Sequence, residues 1–256
     1  MKHPFITIAK YTFLEAVKNR LFTLVLTGIA GVFALGQFAG ELAITETYQV
    51  QGGLAGFITR LAAVFVVSLF VITSVVRELN DKTVDMIISL PLSRYVYFLG
   101  KLCGFFLLAL IFSVLLGLPL AAYAEFSSVM LWTASLFCEL SVIVALCLMC
   151  LFTFGNITTA FSAVIVFYLL ARSISTIQLL SRSPILESTS LSQQFMNGII
   201  DLLAYILPDL GSFTRTEWLV YGTGNTGDLP AIVVQSVIYI SLISGIALFD
   251  LYRKSF

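Results

Sequence analysis

The feature that most constrains this chain is a series of apolar runs, each about 20 residues long and nearly free of charge, which a soluble domain of this size has no interior to hide. The 256 residues are 59% hydrophobic and only 11% charged, with a mean hydropathy of +1.01, so the chain belongs in a lipid bilayer. We expect an all-α integral membrane protein forming one transmembrane domain over 1–256, with six spans at 21–40, 60–76, 102–124, 129–152, 157–180 and 229–251. Gly52-Gly53 predicts a turn ahead of the second span, which Arg60 heads. Pro119 predicts a kink late in the third span, and Gly155-Asn156 the turn after the fourth. Gly36 and Gly40 make a G-x-x-x-G step in the first span, a spacing that suits close helix approach and also arises by chance.

Two amphipathic segments flank the spans. In 3–20, Ile6, Ala9, Phe13, Ala16 and Val17 share a face while Lys10 and Lys18 lie elsewhere, which reads as a helix on the membrane surface or, more plainly, as a basic leader. No cleavable signal is evident, so the first span is expected to stay as an anchor. In 181–228, Phe195, Ile199, Leu202, Leu203 and Ile206 keep helical spacing, which predicts one or two short helices at the outer surface, stopped near Pro208. Trp218 and Tyr221 are expected at headgroup level. With the N-terminus inside, ten of the fourteen basic residues fall on the cytoplasmic side, which fixes the orientation.

The connection over 77–101 holds Arg77, Glu78, Asp81, Lys82, Asp85, Arg94 and Lys101, too much charge for lipid. Leu79, Val84, Ile87, Ile88 and Leu90 lie near helical spacing ahead of Pro91, so a short amphipathic helix suited to docking on a partner is expected. The plainer alternative is an ordinary charged cytoplasmic loop. The order Glu78, Thr83, Leu90-Pro91, Ser93-Arg94 and Gly100-Lys101 resembles the type-2 ATP-binding-cassette permease family, with Lys82 where many relatives carry glycine. The resemblance covers the layout of the whole chain, but in residues only this stretch.

That resemblance implies a permease subunit exporting a substrate by alternating access, in the inner membrane of a prokaryotic cell, with both termini cytoplasmic. It implies that Glu78, Leu79, Thr83, Val84, Ile87, Leu90, Pro91, Arg94 and Lys101 couple the spans to a separate ATPase subunit, which holds the ATP and Mg. It further implies a second copy or a related permease to complete the path, a homodimer being the simpler case, with room for an outer accessory protein. Two other classes fit the same composition: a secondary carrier or channel with no ATPase, and an ATP-coupled scaffold or mechanotransmitter that moves no solute.

Within the chain itself, chemistry is scarce. No G-x-x-x-x-G-K-S/T loop is present, His3 is the only histidine, and no hydrolase motif occurs, so a non-catalytic subunit is expected. Zero net charge argues against nucleic-acid binding. Cys103, Cys138, Cys147 and Cys150 sit in apolar runs, and the C-x-x-C at 147–150 lacks the second half of a zinc site, so neither a disulfide framework nor a metal centre is expected. Two ionisable residues fall inside spans. Glu139 is expected near the midplane and Arg172 near the outer interface, free to snorkel. Either the two pair across the antiparallel fourth and fifth helices, or Glu139 bonds to Ser or Thr neighbours.

Overall fold

The computed structural model describes residues 4–18, 21–42, 47–81, 93–182 and 191–253. Among them the secondary structure is entirely helical: α1 (Pro4–Lys18), α2 (Leu21–Leu42), α3 (Thr47–Asn80), α4 (Arg94–Gly117), α5 (Phe126–Phe154), α6 (Ile157–Arg182), α7 (Leu191–Ile206), α8 (Thr216–Tyr221) and α9 (Leu229–Arg253). Helices are what lipid permits, because each backbone donor finds its acceptor within the same segment. Five are long and apolar enough to cross a membrane: α3, α4 with the 3-10 turn that continues it to Ala122, α5, α6 and α9. The predicted first span coincides with the 22-residue α2.

We call the end of the bundle holding α1 and the α3–α4 connection the near end, and the opposite one the far end. Helix α5 is the hub. In its most apolar stretch 78% of the residues are buried, against 61% in α3, 44% in α4 and 22% in both α6 and α9. A helix apolar on every face belongs at the centre, and α5 packs against α3, α4, α6 and α9. Trp132, Phe70, Phe105 and Phe112 fill the space around it, with the Phe70 and Phe105 rings edge to face at 6.1 Å. The peripheral α6 and α9 leave Val166, Leu169, Val234 and Leu242 exposed, a surface fit for acyl chains and not for water.

Close helix contacts are made at glycines. A Cβ on Gly100 would stand 2.9 Å from Ile8 Cγ2, and one on Gly104 2.8 Å from Thr12 Cβ, so this step of α4 seats α1. The seated face of α1 is therefore Ile8, Ala9 and Thr12, whereas Ile6, expected on that face, is 60% exposed. Gly36 and Gly40 of α2 likewise approach Tyr123 and Gln51. At the near end of α5, Gly155 takes φ 73° and donates its N–H to Leu151 O at 2.9 Å, ending the helix where the sequence predicts a turn.

Three expectations need correction. Gly52-Gly53 is no turn: α3 is helical from Thr47, so Arg60 lies well inside it. These glycines stay helical because α8 and Tyr123 pack directly on them, a Cβ on Gly53 falling 3.2 Å from Val220. Leu79 belongs to the last turn of α3 and does not open a separate helix. Trp218, expected at headgroup level, is buried at 2% exposure, because the chain between α7 and α8 dives into the bundle instead of lying on its surface.

Candidate functional site

Two polar clusters interrupt the apolar interior, one at the near end and one about midway along α5. At the near end α3 brings Glu78, and the first two turns of α4 bring Arg94, Tyr97 and Lys101. Lys101 is 5% exposed and its Nζ forms an ion pair and hydrogen bond with Glu78 Oε1. Tyr97 OH donates to Glu78 Oε2 at 3.0 Å, so both carboxylate oxygens are held. One turn back along α3, Ser74 Oγ donates to Glu15 Oε1 of α1 at 3.3 Å. Arg94 caps the end of α9, its Nη1 donating to Leu251 O at 3.0 Å and Tyr252 O at 3.2 Å, with the guanidinium 5.9 Å from the Tyr252 ring centroid.

The near-end cluster thus joins α1, α3, α4 and α9 around the base of the charged connection. Glu78 and Lys101 point into the protein and Arg77 is exposed, so the paired residues tie α3 to α4 and do not themselves offer a docking surface. Thr83, Val84, Ile87, Leu90 and Pro91 lie outside the described residues.

The mid-bundle cluster is built on Glu139 of α5, which is fully buried, and Arg172 of α6. Glu139 lies fifteen residues before the end of α5 and Arg172 fifteen after the start of α6, so two antiparallel helices joined by a tight turn bring them level. Their closest atoms, Arg172 Nη1 and Glu139 Oε1, are 3.6 Å apart. Arg172 does not snorkel outward. Its Nη1 donates to Leu210 O, Phe213 O at 3.0 Å and Thr214 Oγ1 at 3.3 Å, and its Nη2 to Thr214 O at 3.4 Å. Arg60 of α3 reaches the same loop, donating to Thr214 O at 3.2 Å.

Thr214 is the pivot. Its Oγ1 donates to Glu139 Oε2 at 2.5 Å and its N–H to Ser135 Oγ at 2.9 Å, while its φ of 38° is in the left-handed region that a β-branched residue avoids. Such strain costs about 1–3 kcal/mol and persists only where surrounding contacts over-determine it. Sequence reasoning found Glu139 and Arg172 but missed Arg60, Ser135 and Thr214. The signal for Arg60 was a charge in an otherwise apolar stretch. Nothing in the local pattern of 207–215 marks it as a loop that enters the bundle.

The fold defines an all-helical, multi-pass membrane protein. No family model matches the chain, and no curated protein matches it.

Proposed function

We propose that this chain is the membrane-spanning permease subunit of an ATP-binding-cassette transporter, with six spans that include α2, driven from the cytoplasmic side by a separate ATPase that holds ATP and Mg. The observation that carries the proposal is the buried Glu78–Tyr97–Lys101 lock at the base of the charged connection. A force applied to the connection meets no slack there, and passes at once into α3 and α4, through Ser74 and Glu15 into α1, and through Arg94 into α9. Charge placed for bilayer orientation alone requires no such internal lock. The residue order around Glu78, Pro91 and Lys101 supports the same reading, and a second copy of the chain completes the transport path. The near end then faces the cytoplasm, and helices α7 and α8 face outward.

The test is co-expression of the full chain with ATPase subunits of this transporter class, followed by co-purification and an ATPase assay in reconstituted vesicles. We expect hydrolysis to rise when the permease is present. Cysteines at the exposed Arg77 and Asp81 are expected to cross-link to the ATPase. Failure of every such ATPase to bind, or cross-linking only at the far end, would refute the proposal.

A further inference from the structure

The far-end mouth holds a cleft of about 310 Å³, formed where the start of α3, the turn between α4 and α5, and the end of α8 meet. That is the lower end of the ~300–1,000 Å³ typical of small-ligand sites. Three tyrosines line it, Tyr48, Tyr123 and Tyr221, together with Gln49 and the carboxylate residue Glu125, and no basic side chain is among the lining residues. Interfacial tyrosines commonly form a belt around a membrane protein. Here they come from α3, the α4–α5 turn and α8, and they share one cleft with an acid of that turn.

Tyr123 is the fixed wall. Its hydroxyl accepts a hydrogen bond from Gln37 Nε2 at 3.3 Å, and its ring leans at 37° on Phe33, 5.8 Å between centroids. Tyr48 and Tyr221 are 70% and 67% exposed, so they are free to close over a guest. Glu125 precedes α5 at its N-cap position yet makes no capping bond to that helix, and it forms no ion pair among the described residues. Its Oε2 lies beside Gly222, which ends α8 at φ 63°, so the carbonyl end of α8 adds partial negative charge to the cleft.

We infer that this cleft binds an organic ammonium group, with the tyrosine faces supplying cation–π contact and Glu125 the counter-charge. Phenol rings around a carboxylate with no competing cation are the environment in which a quaternary ammonium is held. An anionic guest is repelled by Glu125, and a neutral one gains at most a hydrogen bond from it. The ammonium has two sources, a free solute or the headgroup of a choline lipid in the adjacent leaflet.

The experiment needs no ATPase, so its outcome is separate from the transport reading. The full chain, purified in a maltoside detergent, is titrated calorimetrically with choline chloride and tetramethylammonium chloride against sodium chloride at matched ionic strength. We expect saturable binding of both ammonium salts, weakened roughly tenfold by Glu125→Gln and by Tyr221→Leu, the scale of losing one desolvated cation contact. Both positions are exposed, so the variants should fold as the parent does, which a matched melting temperature verifies. Repeating the titration in phosphatidylcholine and phosphatidylglycerol nanodiscs separates the sources. Competition in the first alone assigns the lipid headgroup, and equal binding in both assigns the solute. Absence of saturation, affinities unchanged in both variants, or equal affinity for neutral sorbitol would overturn the inference.

Discussion

Replacing Arg172 separates two ways in which the mid-bundle cluster could be held together. If the ion pair with Glu139 dominates, lysine should be an adequate substitute, since it keeps the charge. The geometry argues otherwise: the charged atoms are 3.6 Å apart, beyond hydrogen-bonding range, whereas the guanidinium makes four bonds of 2.5–3.4 Å to the 210–214 loop. Polar contacts in membrane helices average about 0.6 kcal/mol each, which puts the loss of the four near 2–3 kcal/mol. Removing one partner of a buried pair in a soluble protein costs about 3–5 kcal/mol, which sets the upper limit. We therefore expect Arg172→Gln to destabilise by roughly 2–3 kcal/mol and Arg172→Lys to recover less than half of that, because an ammonium cannot fork to several carbonyls. Unfolding in mixed micelles gives the energies, and trypsin cleavage after the exposed Arg215 reports release of the loop. A lysine variant as stable as the parent, or a glutamine variant with unchanged cleavage at Arg215, would refute the reasoning.

Further outcomes follow from other contacts. Lys101→Met and Glu78→Gln should each destabilise more than their combination implies, with a coupling of about 1–3 kcal/mol in a double-mutant cycle by micelle unfolding, since each single change strands a buried partner. Gly104→Val should drive α1 off α4 at a cost of about 1–3 kcal/mol, read as a lengthened spin-label distance between the two helices. Gly245→Ala meets nothing within 4 Å and is the control, expected to be neutral or slightly stabilising. Arg94→Ala should speed amide exchange at the end of α9, by freeing the carbonyls of Leu251 and Tyr252, while leaving α4 protected.

Most of the helix plan was legible because hydrophobic run length is a strong local signal. Helices α4, α5, α6 and α9 fall where the runs lie, and Gly155 ends α5 as its left-handed geometry requires. Gly52-Gly53 misled for a physical reason: glycine serves both turns and helix crossings, and only the packing of α8 and Tyr123 on α3 distinguishes them. The level placement of Glu139 and Arg172 follows from counting residues on either side of a tight turn. Their partners do not, because Leu210, Phe213 and Thr214 contribute backbone carbonyls, which every residue has. In the same way the sequence marks Glu78 and Lys101 as charged, but only the arrangement of α3 and α4 turns them toward each other.

Helix α3 is 34 residues long, about 51 Å at 1.5 Å per residue, while the hydrocarbon layer is only ~30 Å thick. Without a proline or a break, it is a single stiff rod with Glu78 at one tip and Tyr48 at the other. Such a rod is a lever: a tilt of about 5° pivoting at Glu78 carries Tyr48 some 4 Å sideways, by simple trigonometry on that length. The same tilt moves the midpoint of the rod by about 2 Å, more than a close-packed interior absorbs, so α3 can work the tyrosine-lined mouth at its other tip only by carrying the helices packed on it along.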